Sequence, residues 1–199
     1  MAQLRVKKKG GGRWLYPVIV DGGKEINIKK TDKVVIVIGG QGSNKSDIAK
    51  KLYDVSEQVY GLESVFISGF ETPSFWRQRN NITKKGIFGH DDLILLPKNR
   101  LLIIDDLDKI VSGSKYHLMM KLLKNAHQIV VFISSIELLN NEIKTFLYSR
   151  SHSLIKLSSS VPQSEQKTFL WGLSAVFAAM GIPDILGAVM AWKFFGRGK

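Results

Sequence analysis

The sequence has no cysteine, and only four histidines and five prolines among its 199 residues. Without cysteine the chain has no disulfide, no thiolate nucleophile and no cysteine-ligated metal. No two histidines have the spacing of zinc ligands, since they stand apart at His90, His117, His127 and His152. Apolar residues make up 44% and charged residues 23%, which is typical of a folded domain with room for a small addition.

Acidic residues are also few, and the formal net charge is +12. Half of this excess falls in residues 1–30, where eight Lys and Arg residues are opposed only by Asp21 and Glu25. A segment of this kind suits contact with nucleic-acid phosphates or with an anionic membrane surface. A solvated tail that aids solubility explains the same charge equally well, so both interpretations stay open.

Strand and helix patterns alternate through the middle of the chain. Five short apolar runs have the composition of buried strands, namely 34–38, 64–68, 101–105, 129–134 and 152–157. Three segments are predicted to be helices: 45–60, 114–126 and 136–149. Residues 14–20 and 25–28 predict a β-hairpin ahead of them. The alternation predicts an α/β fold with a mostly parallel five-stranded sheet.

A glycine-rich loop lies between the first of these strands and its helix. Its sequence GGQGSNKS fits seven of the eight positions of the phosphate-binding loop G-x-x-x-x-G-K-[ST]. In such a P-loop, backbone N–H groups and a helix N-terminus surround the phosphate oxygens of a nucleotide. We expect Lys45 to reach the β- and γ-phosphates and Ser46 to bind Mg²⁺. The predicted nucleotide-binding residues are Gly39, Gly40, Gln41, Gly42, Ser43, Asn44, Lys45 and Ser46.

Asn44 replaces the second glycine of the pattern. Asparagine tolerates positive φ better than other non-glycine residues, so the loop can still form, although the side chain adds bulk near the phosphate. The alternative interpretation is a glycine-rich turn that binds no ligand.

The run at 101–105 ends in two acidic residues. Asp105 is predicted to hold Mg²⁺, directly or through water, and Asp106 to orient and deprotonate an attacking water. Glutamate is usual at the second of these positions. Two solvated aspartates in a turn are the alternative.

Two more residues are candidates for the same site. Ser134 ends the fourth predicted strand, where it would sense the γ-phosphate, although Ser134 or Ser135 serves equally as a helix cap. Arg150 is predicted either to act as an arginine finger across a subunit boundary or to be an ordinary surface arginine.

Two further segments suggest partners. Residues 76–85 are basic and begin with Trp76. This composition predicts DNA binding, in which the basic side chains contact phosphates and the aromatic side chain stacks on a base. A polar connecting loop with a buried Trp76 is the alternative. Residues 169–195 are apolar except for Asp184 and Lys193, which predicts membrane association. A helical hairpin packed on the domain remains open.

The loop GGQGSNKS, the strand end IIDD, the run VVFISS and the segment ELLNNEIKTFLYSRSHSLIKL together resemble the FtsK/HerA branch of P-loop motor ATPases, over residues 34–158. Two viral groups in that branch are similar: genome-packaging ATPases of membrane-containing phages, and filamentous-phage assembly proteins that resemble zonula occludens toxin. The resemblance implies a homo-oligomeric ring that hydrolyses ATP with Mg²⁺ and moves DNA at a membrane, together with viral capsid or assembly proteins.

On this interpretation the chain has four parts: a basic arm and β-hairpin (1–30), a P-loop ATPase domain (31–158), a linker (159–168) and a hydrophobic, membrane-associated tail (169–199). Two alternatives come from other functional classes. The loop also resembles that of nucleoside monophosphate kinases, which would make the chain a small phosphotransferase. A membrane or virion structural protein on a degenerate P-loop fold would bind no nucleotide.

Overall fold

A computed structural model of the chain describes residues 2–8, 15–29, 31–83, 86–110 and 113–158, and for 86–89 the backbone alone. The predicted linker and hydrophobic tail, at 159–199, lie outside the described residues. No helix within the described ranges is long and apolar enough to cross a membrane.

The N-terminal segment forms a small antiparallel sheet of three strands, β1 (Gln3–Lys8), β2 (Leu15–Asp21) and β3 (Lys24–Asn27), in that order. The predicted hairpin is β2 and β3, joined by Gly22 and Gly23, which both have positive φ. The strand β1 was not predicted, because its sequence QLRVKK has only two alternating apolar residues, Leu4 and Val6, among polar ones. Residues 3–8 are therefore paired to β2 rather than extended as an arm.

The main sheet has five parallel strands: β4 (Val34–Ile38), β5 (Ser64–Ser68), β6 (Leu101–Asp105), β7 (Gln128–Ile133) and β8 (His152–Lys156). Their order across the sheet is β5–β6–β7–β4–β8, and every neighbouring pair is parallel. The predicted α/β fold with a five-stranded parallel sheet is confirmed. Because β4, β6 and β7 are interior strands covered on both faces, their sequences are continuous apolar runs.

Within the described part of the chain, five helices cover the sheet: α1 (Lys45–Tyr60), α2 (Pro73–Arg79), α3 (Gly86–Leu95), α4 (Gly113–Asn125) and α5 (Asn141–Tyr148). One-turn 3₁₀ helices lie at Leu107–Lys109 and Ile136–Leu138. The single helix predicted over 136–149 is wrong, because the extended Leu139 interrupts it and the Asn140 side chain caps α5 by accepting from the Glu142 N–H at 2.9 Å.

The sheet separates two hydrophobic layers. On one face Val35 and Val37 pack with Ile48 and Leu52 of α1 and with Ile19 of β2, so the small sheet shares this layer. On the other face the alternate residues of β4 pack with side chains of α3, α4 and α5. The carboxyl ends of β4, β6 and β7 consequently lie side by side at one edge of the sheet, where ligands of open parallel sheets bind.

Candidate nucleotide-binding site

The loop after β4 closes tightly on itself. The Gly39 N–H donates to the Ile133 carbonyl of β7 at 3.0 Å, and the Ser43 N–H donates to the Gly40 carbonyl at 3.2 Å. A Cβ built on Gly39 would lie only 2.9 Å from the Ser43 Cβ and 3.3 Å from the Leu157 Cβ. Position 39 therefore has no room for a side chain and requires glycine. The absence of a side chain there lets the loop curl closely over the end of the sheet.

Asn44 occupies the left-handed region at φ 61° immediately before α1. This confirms the prediction that asparagine would tolerate positive φ at the second glycine position. Its carbonyl accepts from the Ile48 N–H at 3.0 Å, which begins the helix, but its side chain makes no capping hydrogen bond. The first N–H groups of α1 thus have no side-chain cap there, and the positive end of the helix dipole is directed at the loop.

Lys45 and the two acidic residues meet across the end of β7. The Lys45 Nζ lies 3.5 Å from the Asp106 Oδ1, and both side chains are close to buried. Asp105 is the last residue of β6 and is 4% exposed. Asp106 has φ 53°, which turns the chain sharply after the strand. The structure brings Lys45, Ser46, Asp105 and Asp106 together, as the two motifs suggest.

The environment of Asp105 favours its neutral form. Burial raises the pKa of this carboxyl to about 6, and the nearby Asp106 charge adds to the rise. A hydrogen bond from Ser46 and the charge of Lys45 act in the opposite direction. The Asp105 Oδ1 atom is buried and has no hydrogen-bond partner. A buried carboxylate oxygen without a partner costs free energy that a cation would recover.

These residues fit a magnesium nucleotide. Mg²⁺ binds through oxygen, and the donors present are the Ser46 hydroxyl and the unpartnered Asp105 oxygen. The buried Ser43 hydroxyl also lacks a partner within the loop. Among the described residues, no group of three or more histidines and acidic residues could hold a metal by itself. Phosphate oxygens and water would therefore supply most of the magnesium ligands.

Ser134, at the end of β7, is held by a residue that sequence reasoning missed. Its backbone N–H donates to the Asp108 Oδ1 at 3.3 Å, and the Asp108 side chain is fully buried. The signal available in the sequence was a third acidic residue, two positions after Asp106. Ser135 caps the following turn, because its hydroxyl accepts from the Glu137 N–H at 3.3 Å, so the cap interpretation is confirmed for Ser135.

Arg150 lies away from these groups. Its Nη1 donates to the Ala126 carbonyl at 3.0 Å, and its guanidinium stacks 4.6 Å from the centroid of the Phe146 ring. It comes just before β8, whose first residue pairs with Val34 at the start of β4. Arg150 is thus at the amino edge of the sheet, opposite the loop of the same chain.

The basic segment 76–85 is partly helical rather than a loop. Trp76 of α2 is fully buried, and its Nε1–H donates to the Ser68 carbonyl at 2.8 Å, so its ring does not offer a face to a base. Arg79 is ion-paired with Glu71. Pro73 at the first helical position explains why this short helix begins there. Lys84 and Lys85 lie outside the described residues.

No protein-family model matches the chain, and comparison with curated proteins found no match. The structure is similar to that of the DnaC helicase loader (12% identity, TM-score 0.47), over 66% of this chain and 82% of the other. It is also similar to domain III of the Thermotoga maritima replication initiation protein DnaA (13%, 0.45), over 84% and 80%.

A third similar structure is a DNA replication initiation factor (12% identity, TM-score 0.44). The match covers 76% of this chain but only 46% of that protein's length. Since all three TM-scores lie below 0.5, these similarities do not bear on activity or partners.

Proposed function

We propose that this chain is a P-loop ATPase that binds and hydrolyses Mg-ATP at the carboxyl edge of its sheet. The observation that carries the proposal is the 3.5 Å approach of the Lys45 ammonium to the Asp106 carboxylate, beside the buried Asp105. Two motifs that are about 60 residues apart in the sequence meet there, next to a helix N-terminus that has no side-chain cap.

Each residue has a distinct role in this proposal. The backbone N–H groups of residues 39–44 and the N-terminus of α1 bind the phosphates, and Lys45 neutralises the β- and γ-phosphate charge. Asp106 orients the attacking water and accepts its proton. Ser134 lies at the end of β7 between the two motifs, where it would contact the γ-phosphate.

Ser46 and Asp105 would hold Mg²⁺, which supplies charge neutralisation on the phosphate oxygens when bound. Metal ligands must be deprotonated, and a carboxyl with a pKa of about 6 is mostly ionised at pH 7. The raised pKa of Asp105 is therefore compatible with magnesium binding at neutral pH and would hinder it below pH 6.

The finer proposal is that hydrolysis moves DNA at a membrane, in viral genome packaging or phage extrusion by an oligomeric ring. It is supported by the resemblance of residues 34–158 to the FtsK/HerA branch, by the basic N-terminal segment and by the apolar composition of 169–195. The exposed Arg5 and Lys8 on β1 are described residues that suit phosphate contacts.

The test is ATP turnover by the purified full chain. We expect hydrolysis that depends on Mg²⁺ and falls at least about a hundredfold in Lys45→Ala and Asp105→Ala, with the exposed Lys50→Ala as control. Absence of turnover in the unaltered chain contradicts the proposal. Stimulation by DNA, with binding that weakens as salt rises and as Arg5 and Lys8 are neutralised, tests the finer proposal.

A further inference from the structure

Lys115, in the first turn of α4, is in an unfavourable position for an ordinary surface lysine. A cation near a helix N-terminus opposes the helix dipole. Partial burial also lowers the pKa of its ammonium, although the charge of Glu71 acts in the opposite direction. A lysine with these costs needs compensating contacts.

Those contacts are made with the segment that follows β5. The Lys115 Nζ donates to the Gly69 carbonyl, 46 residues away in the sequence, and lies 5.5 Å from the centroid of the buried Trp76 ring. Trp76 in turn donates to the Ser68 carbonyl at 2.8 Å. Two side chains from two different helices therefore hold consecutive carbonyls of residues 68 and 69.

Gly69 is packed directly against the two acidic residues of the site. Its N–H donates to the Asp105 carbonyl at 2.7 Å. A Cβ added to Gly69 would collide with the Asp106 carbonyl oxygen and lie 2.8 Å from the Asp106 carbonyl carbon. The backbone of Gly69 thus limits where the Asp106 backbone can go, at the point where Asp106 adopts its left-handed conformation.

We propose that Lys115 is a positioning residue for Asp106, acting through the Gly69 carbonyl. By holding Gly69 against residues 105 and 106, the ammonium keeps the Asp106 carboxylate directed at Lys45. The proposal rests on the proposed ATPase function for its catalytic consequence, but the contact between Lys115 and Gly69 does not depend on that function. A displacement of about 1 Å in a catalytic group can lower a rate by up to about a hundredfold.

The experiment compares three full-length variants. Lys115→Met removes the ammonium but keeps most of the apolar stem, Lys115→Arg keeps a charged donor, and Lys121→Met neutralises an exposed lysine on the same helix as control. Two readouts are measured: the amide hydrogen-exchange protection of Gly69 by NMR, and the kcat and ATP Kd in the presence of Mg²⁺.

For Lys115→Met we expect Gly69 protection and kcat each to fall about tenfold or more, while ATP binding is not weakened, because the phosphate-binding loop is untouched. Lys115→Arg should recover part of both losses, and Lys121→Met should match the unaltered chain. If Lys115→Met does not fold, Lys115→Gln, which keeps a neutral donor, is measured in its place.

Unchanged Gly69 protection in Lys115→Met overturns the positioning role, whatever the activity does. So does a loss of protection without a loss of kcat in an active enzyme, or a Kd that rises as much as kcat falls. A chain that hydrolyses no ATP in its unaltered form overturns the proposed function instead, and in that case Gly69 protection alone decides whether Lys115 holds this backbone.

Discussion

The Lys45 Nζ lies 3.5 Å from the Asp106 Oδ1, and only 13% and 9% of the two side chains are exposed. The cation proposed to contact the phosphates is therefore paired with the carboxylate proposed to orient water. Little solvent screens a pair at this depth, so a bound triphosphate has to compete with Asp106 for the Lys45 ammonium.

This competition predicts opposite effects of Asp106→Asn on binding and on catalysis. The amide keeps the shape of the side chain but releases Lys45 from the ion pair, so ATP should bind severalfold more tightly. Hydrolysis should fall about a hundredfold, because an amide cannot accept the proton of water. Binding is measured by titrating a fluorescent ATP analogue, and kcat by phosphate release.

Lys45→Met is the matched variant, since it removes the other member of the pair. It should lose both affinity and turnover. Weaker nucleotide binding in Asp106→Asn would show that the ion pair organises the site instead of competing with the ligand.

Asn44 offers a second prediction. The left-handed conformation is less favourable for a non-glycine residue than for glycine, and the Asn44 side chain makes no capping hydrogen bond to α1 that would offset this. Asn44→Gly should therefore raise the free energy of unfolding by about 0.5 kcal/mol, and should tighten ATP binding because the backbone can approach the phosphate more closely.

Asn44→Ala provides the control, because alanine removes the side-chain bulk but tolerates positive φ less well than asparagine. It should lower the free energy of unfolding by about 1 kcal/mol. Urea unfolding of the unaltered chain, Asn44→Gly and Asn44→Ala measures their order of stability. An alanine variant more stable than the glycine variant would contradict the argument.

The predictable parts of the fold are the segments whose apolar pattern matches the faces that they bury in the structure. Interior strands such as β4 and β6 are covered on both faces, so their apolar runs mark them, and β5, β6 and α1 begin and end at the predicted residues. The grouping of Lys45 with Asp105 follows from the parallel sheet, since the carboxyl ends of its strands share an edge.

The parts that were missed depend on contacts between distant residues. The strand β1 has a basic sequence and becomes a strand only by pairing with β2. The burial of Asp108 depends on the Ser134 N–H, and the importance of Lys115 depends on Gly69, 46 residues away. The contacts of Asp108 and Lys115 leave no periodic pattern in the sequence, and the alternation of Leu4 and Val6 in β1 is too short to identify a strand by itself.

The raised pKa of Asp105 gives a prediction about pH. The unfolded carboxyl has a pKa of 3.8 and the folded one a pKa of about 6, so between these values the folded chain binds more protons than the unfolded chain. The free energy of unfolding should therefore fall as the pH rises from about 4 to 6. Asp105→Asn cannot ionise, so this part of the pH dependence should disappear.

At pH 7 Asp105→Asn should consequently be more stable than the unaltered chain by roughly 1–2 kcal/mol, while losing magnesium-dependent hydrolysis. Denaturant unfolding at pH 4.5 and pH 7 measures the first effect. Ser153→Ala is the control. It removes a buried hydroxyl that also lacks a hydrogen-bond partner, and its effect on the free energy of unfolding should not change with pH. Equal destabilisation of Asp105→Asn at both pH values would contradict a raised pKa of the Asp105 carboxyl in the folded chain.

Arg150 provides the last prediction, because its contacts favour one of the two roles considered for it. Its guanidinium donates to the Ala126 carbonyl at 3.0 Å and to the Lys124 carbonyl at 3.4 Å, and it covers the Phe146 ring. These contacts satisfy carbonyls at the end of α4. Arg150→Ala should therefore lower the free energy of unfolding by about 1–2 kcal/mol, with hydrolysis per folded molecule changed less than about threefold.

An arginine finger would behave differently. Its loss should abolish hydrolysis, and mixing Arg150→Ala with Lys45→Ala subunits should restore part of it, because one subunit would supply the arginine and its neighbour an intact phosphate-binding loop. Arg100→Ala is the matched control, since that arginine pairs with the exposed Glu63 and should cost little stability. Recovery of activity in the mixture would assign Arg150 to a neighbouring subunit's nucleotide, whereas a stability loss without recovery assigns it to the end of α4.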